Sequence, residues 1–114
     1  MILICAMGIE RRRDIRIKYP RDDRPLVEIK GRQFPVVDLS ASGMKVIMGS
    51  KKFSKGAVFE VKVHFGKRRT YMGRAEVVRS LGDLLMLKFE KRVEISVMKL
   101  EADYLLKRYG SLET

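Results

Sequence analysis

Two short stretches of this chain carry side chains that chemistry would use together. The first is Glu10-Arg11-Arg12-Arg13-Asp14-Ile15-Arg16, which sets Arg12 and Arg16 four positions apart with Arg11 and Arg13 beside them. A guanidinium is planar, permanently charged and fork-shaped, so it stacks on a base, grips the O6 and N7 edge of guanine and pairs with phosphate. The second stretch runs Val37-Asp38-Leu39-Ser40-Ala41-Ser42-Gly43-Met44 and places an acid, two hydroxyls and a glycine between apolar, β-prone residues. The Asp38 carboxylate can accept from the N1–H and N2–H donors of guanine. Ser40 can donate to a phosphate oxygen with Ser42 in support, and Gly43 frees the backbone to turn. Asp and Ser bond nearby backbone in turns and Gly tolerates positive φ, so this stretch reads as a corner between two strands. Exposed N–H groups in such a corner can form a nest for an anion. Each pattern alone is weak: basic chains hold many R-x-x-x-R pairs by chance, and D-x-S-x-x-G alone describes an ordinary Asx turn. Arg68-Arg69 and Lys51-Lys52 are such chance pairs, read here as loop solubility. The order and spacing of the two stretches carry more weight, and both are expected to close on one small anionic, base-bearing ligand.

The elements that must position them follow from hydrophobic period. Residues 8–25 are charged and interrupted by Pro20 and Pro25, so they read as a loop or extended arm with at most a helical turn over 9–16. Strands are expected over 26–30, 34–37, 44–48, 57–65, 71–79 and 84–90. The clearest puts Phe59, Val61, Val63 and Phe65 on one face and Glu60, Lys62 and His64 on the other. Turns fall at Gly31-Arg32-Gln33, Gly66 to Arg69 and Ser80 to Asp83, and Phe53 anchors a polar loop. After residue 95 the period becomes helical. Val97, Leu100, Tyr104 and Leu105, flanked by Met98 and Tyr109, form a stripe between a Ser96 N-cap and a Gly110 stop. Six short antiparallel strands and one terminal helix imply a small barrel or a sandwich.

Composition bounds the function. A chain of 114 residues with 46% hydrophobic content fits one globular domain, and a net charge of +11 with a pI near 10.1 favours anionic partners. One cysteine, Cys5, leaves no intrachain disulfide, and with a single histidine, His64, no structural zinc site of Cys/His type is expected. The apolar run 1–7 falls far short of the ~20 residues that span a membrane, and the arginines follow it, unlike in a signal peptide. It is expected as a loose tail, no membrane insertion is expected, and the cytoplasm is the default compartment.

Taken together, the arginine stretch, one intervening strand and Asp38-Leu39-Ser40-Ala41-Ser42-Gly43 resemble the PilZ domain, a bacterial receptor family for cyclic di-GMP marked by R-x-x-x-R and [D/N]-x-S-x-x-G. Phe53-Ser54-Lys55-Gly56 before the long strand also resembles the family's spacing. The resemblance implies an all-β fold: a six-stranded antiparallel Greek-key β-barrel of the split-barrel type with a C-terminal α-helix. It divides the chain into a tail at 1–9 and a PilZ domain at 10–114, with the arm at 10–25, the barrel at 26–90 and the helix at about 96–109. It implies cyclic di-GMP as ligand, with no other cofactor and no catalysis. Arg12 and Arg16 become the motif arginines, with Arg11 the frequent extra basic residue and Arg13 a secondary one. Asp38 is assigned to a guanine edge, Ser40 to a phosphate or guanine group, Gly43 to the turn and Ser42 to a supporting role. The arm is expected to fold over the ligand and expose a surface to a downstream protein governing motility, biofilm or polysaccharide output, from a monomer or homodimer.

Three other classes stand against this one. Net charge and four tyrosines permit a general nucleic-acid binder, but Tyr19, Tyr71, Tyr104 and Tyr109 lack the clustering of single-strand stacking platforms. An adaptor that has lost its ligand is opposed by the intact Arg12, Arg16, Asp38, Ser40 and Gly43. An enzyme finds no support: His64 is read as outward and solvated, Cys5 as an idle thiol, and Glu28, Glu60 and Glu76 as strand surface charges.

Overall fold

The structure, a computed structural model, describes residues 3–4, 9–11, 15–49, 53–66 and 69–109, the first two segments by backbone alone. Among these residues nine strands and one α-helix follow in order, with a short 3-10 turn at Arg21–Asp23: β1 (Leu3–Ile4), β2 (Ile9–Arg11), β3 (Ile15–Lys18), β4 (Leu26–Ile29), β5 (Arg32–Ser40), β6 (Gly43–Ile47), β7 (Val58–Phe65), β8 (Arg69–Leu81), β9 (Leu84–Phe89) and α1 (Ile95–Tyr109). Six of them close on themselves in the order β5-β4-β7-β8-β9-β6, with β6 returning to β5, and every pairing is antiparallel. Closure removes the exposed edges that an open sheet of this size would present. The all-β barrel with one trailing helix is therefore the architecture expected from the strand count.

Local chemistry explains the corners. β4 and β5 join through Lys30 and Gly31 at φ 52° and 78°, so both central residues are left-handed, as a two-residue hairpin matched to strand twist requires. β5 then runs past the site where a turn was expected and reaches Ser40, leaving only Ala41 and Ser42 as the corner into β6. The Ser42 carbonyl accepts from Phe89 N–H and the Ala41 carbonyl from Val93 N–H, each at 2.8 Å. The end of β9 and the approach to the helix thus hold this corner from below.

The interior follows the strand period. Val27, Val36, Val46, Val63, Ala75, Val77 and Leu85 are wholly buried, and Ile17, Leu39, Val61, Phe65, Leu87 and Phe89 nearly so. An aromatic plug of Phe34, Phe53 and Phe59 fills one part of the core. Their rings meet edge to face at 6.2 and 4.9 Å between centroids, which fixes the loop that Phe53 was expected to anchor.

Three expectations are corrected. Part of the charged arm is strand: β3 extends the sheet by pairing Arg16, Ile17 and Lys18 with Ser40, Leu39 and Asp38, and β2 and β1 follow it. Alternation of Ile15 and Ile17 inward with Arg16 and Lys18 outward is a strand signal that charge content masked. Leu3–Ile4 of the supposed tail forms β1. The helix also turns a different face inward. Met98, Glu101, Ala102 and Leu105 are its buried residues, while Leu100 is 48% exposed. Its first turn closes on the Glu94 carbonyl, which accepts from Val97 and Met98, so Glu94 takes the capping position given to Ser96. Gly110 lies outside the described residues.

Candidate functional site

One irregularity in β5 builds the site. Phe34 and Val36 face the core, and strict alternation would send Asp38 and Ser40 inward after them. A bulge between Val36 and Asp38 inserts Val37 as an extra residue, and the parity flips. Leu39 and Ala41 become the buried residues, and Asp38 and Ser40 turn outward. Val37 uses its carbonyl to accept from Tyr19 N–H at 2.9 Å, which pins the bulge to the end of β3.

The outward side chains then fall into register. Arg16 on β3 lies opposite Ser40, and Lys18 lies opposite Asp38. On the other edge of β5, Asp38 pairs with Lys45, and Lys45 in turn pairs with Met86 of β9. A row Lys18–Asp38–Lys45–Met86 thus crosses four strands, with Arg16 and Ser40 in the neighbouring row. These residues, with Gly43, Ile17, Leu39 and Met44, line an open cavity of about 390 Å³. That volume falls within the ~300–1,000 Å³ typical of small-molecule sites.

The polar geometry is specific. Lys45 Nζ stands 3.3 Å from Asp38 Oδ2. Asp38 Oδ1 is shielded from solvent and has no hydrogen-bond partner among the described residues. Ser40 Oγ lies 3.2 Å from Ser42 Oγ and donates to the Gly43 carbonyl at 3.4 Å, a long and weak bond that leaves its hydroxyl ready to turn. Gly43 is required for a reason other than a left-handed turn, since it is not among the positive-φ glycines. A Cβ placed there would sit 2.3 Å from the Leu87 carbonyl oxygen, so only glycine lets β6 and β9 approach.

The structure thus brings together Arg16, Asp38, Ser40, Ser42 and Gly43. Arg11 is placed only by its strand, and Arg12 and Arg13 lie outside the described residues. Lys18, Lys45 and Met86 were missed by sequence reading. The signal for the first two was present: Lys18 follows Ile17 on the outward face, and Lys45 alternates between Met44 and Val46. No group of three or more metal-ligating side chains converges among the described residues. His64 is not simply solvated: its Nδ1 lies 3.2 Å from Thr70 Oγ1 and its Nε2 is 3.5 Å from Glu28 Oε1. A larger open groove of about 870 Å³ runs over Glu28, Lys30, Phe59, Lys62, Met72 and Arg74 and holds none of the motif residues. Among the described residues no helix is long and apolar enough to cross a membrane.

Comparison with known proteins places this geometry. The family model for the PilZ domain matches residues 10–107. Among solved structures, the Bacillus subtilis inhibitor of motility MotI/DgrA is similar at TM-score 0.64 and 18% identity, covering 90% of this chain and 52% of that one. YcgR from Escherichia coli, solved in complex with c-di-GMP, is similar at TM-score 0.58 and 21% identity, covering 87% of this chain and 47% of that one. An uncharacterised Legionella protein matches at TM-score 0.50 and 19% identity, over 82% of this chain and 91% of its own. This chain thus spans about half the length of the first and second of these. No curated protein matches it.

Proposed function

Because this chain belongs to the PilZ domain family, we propose that it is a non-enzymatic receptor for cyclic di-GMP whose ligand-bound form regulates a downstream protein. Arg16, with Arg11, Arg12 and secondarily Arg13, stacks on guanine and binds phosphate. Asp38 takes the Watson–Crick edge of a guanine, Ser40 donates to a phosphate oxygen with Ser42 behind it, and Gly43 keeps the corner tight. The observation that carries this reading is the bulge at Val37, which sets Arg16, Asp38 and Ser40 on one outer face around one cavity. Any strand keeps such polar side chains out of the core; what supports the reading is that they face outward beside Arg16 at one cavity.

The arginine stretch is the part of the site proposed to close over the ligand. It leads into β3, which is bound to the same stretch of β5 that carries Asp38 and Ser40. Closing the arginines over a ligand orders side chains at a cost of ~0.5–1.5 kcal/mol each, which holds affinity below what the contacts alone would give. The similar fold of a protein solved in complex with c-di-GMP supports the ligand, and that of an inhibitor of motility makes motility an output to test beside biofilm and polysaccharide. The protein acts in the cytoplasm, as a monomer or homodimer.

Titration calorimetry of the purified chain with cyclic di-GMP tests the reading. Saturable heat, with stoichiometry from the same isotherm, is expected. Absence of heat at high micromolar protein, with the barrel shown folded by circular dichroism, would overturn it.

A further inference from the structure

We propose that Lys45 is a positioning residue of the nucleotide site, holding the Asp38 carboxylate so that its plane is set to meet the base edge. This inference rests on the receptor reading above and adds a residue outside both sequence motifs.

The argument starts from the two carboxylate oxygens, which differ. Oδ2 faces the Lys45 ammonium at 3.3 Å, while Oδ1 is withdrawn from solvent with no hydrogen-bond partner among the described residues. An oxygen shielded from water is shielded from a ligand as well, so the edge that the carboxylate offers to the cavity is the one beside the Lys45 ammonium. The pair is otherwise too exposed to hold the fold. The two side chains retain 33% and 27% of their accessibility, and ion pairs of that kind stabilise by ~0–1 kcal/mol. What the pair does is local: it fixes the plane of a side chain that would otherwise rotate. The donors of a guanine edge lie in one plane, so the orientation of the carboxylate decides whether they are met.

Placement supports the assignment. Lys45 is the direct register partner of Asp38 on β6, and both line the cavity that holds Arg16 and Ser40. Its neighbours Met44 and Val46 are buried, so the Lys45 backbone is anchored by the core while its ammonium serves the site. Gly43, two residues earlier, sets how close β6 lies to β9 and hence where Lys45 begins. A direct phosphate contact by Lys45 is the competing role, and the two separate in a double-mutant cycle.

The cycle compares wild type, Lys45→Met, Asp38→Asn and the double variant, by equilibrium dialysis against cyclic di-GMP at two salt concentrations. Lys45→Met keeps the apolar stem and removes the charge. In the wild-type background it is expected to raise Kd by about tenfold, the size of one charge-assisted bond. In the Asp38→Asn background it is expected to do less than about twofold, because the residue it positions has lost its charge. Lys45→Arg should recover most of the affinity. An equal loss in both backgrounds, accompanied by a shallower salt dependence, would assign Lys45 to phosphate and overturn the proposal, as would no loss at all. Wild type that fails to bind sinks the receptor reading and this inference with it, whereas wild type that binds while Lys45→Met is unaffected sinks this inference alone.

Discussion

The Tyr19 hydroxyl donates to Glu101 Oε1 at 2.9 Å, joining the end of β3 to the middle of α1 across 82 positions of sequence. Both residues are buried, Glu101 completely. Next to this bond, Asp23 gathers the hydroxyls of Tyr104 and Tyr109 and the Arg108 guanidinium, whose Nε stands 2.8 Å from Oδ2. The helix is therefore fastened to the segment between β3 and β4 at two levels. The strand that carries Arg16 is the one to which α1 is tied, so a shift of β3 on ligand binding would be felt by the helix.

Removing that first tie should be measurable. Tyr19→Phe leaves the ring in place and takes away the donor to a buried carboxylate. A loss of about 1–3 kcal/mol in unfolding free energy is expected, the usual cost of taking a donor from a buried acceptor. Urea denaturation followed by circular dichroism reads it as a lower midpoint with an unchanged slope. A midpoint equal to that of wild type would show that the bond adds nothing to stability.

The second level of the clamp predicts an alkaline limit. The hydrogen bond to Asp23 raises the Tyr109 pKa above its usual 10.0, and burial adds to the effect. Burial chiefly, with the Glu94 charge second, raises Tyr71 in the same direction. A phenol raised on folding is protonated in both states below pH 10, where its contribution is complete. Above that, the unfolded chain gives up its proton first, so stability falls as pH rises toward the folded pKa. Denaturation midpoints at pH 9 and pH 11 should therefore fall for wild type, and by less for Tyr109→Phe. An equal fall in the two proteins would exclude Tyr109 as a source.

The barrel was legible because its strands obey a two-residue period and its turns carry glycine, as at Gly31 and Gly82. Val61, Val63 and Phe65 are buried as their alternation predicts, and so are Leu85, Leu87 and Phe89. The site was legible in part. Asp38, Ser40 and Arg16 were named, but as a rigid turn and a loose arm, whereas all three sit on paired strands. The missed feature was the change of parity, written in the adjacent valines Val36 and Val37: the apolar residues run 34, 36 and then 37, 39, 41. The helix face was misread because a charged residue, Glu101, occupies the centre of its buried stripe, where it accepts from the Tyr19 hydroxyl 82 positions away. A local window cannot see a partner at that distance.

Gly43 should tolerate no side chain. The Cβ of Gly43→Ala would meet the backbone oxygen of Leu87 at 2.3 Å, and backbone cannot rotate aside as a side chain would. β6 and β9 must separate to admit it, loosening the seam that closes the barrel. A loss of at least about 1–3 kcal/mol is expected, in the range of overpacked interiors. Gly31→Ala, where a Cβ meets no atom within 4 Å, isolates the alternative cause, since its cost would come from the left-handed backbone alone. Ligand affinity should fall for Gly43→Ala and stay near wild type for Gly31→Ala. Equal affinity in the two would show that the seam does not shape the site.

Arg16 separates charge from shape at the site. Its register partner is Ser40, and it faces outward beside Asp38, so Arg16→Ala should leave the fold intact while raising the Kd for cyclic di-GMP at least about tenfold, equivalent to ~1.5–3 kcal/mol. Arg16→Lys keeps the charge and loses the plane. Stacking and bidentate pairing are properties of the guanidinium, so most of the loss should remain. Arg74→Ala is the control. Arg74 is an exposed arginine on β8, 4.0 Å from Glu90 and away from the cavity, and its removal should alter neither stability nor affinity appreciably. Calorimetry on the three variants orders them against wild type. Full recovery by lysine would mean that the site reads only charge at this position, and the stacking role assigned to Arg16 would have to be abandoned.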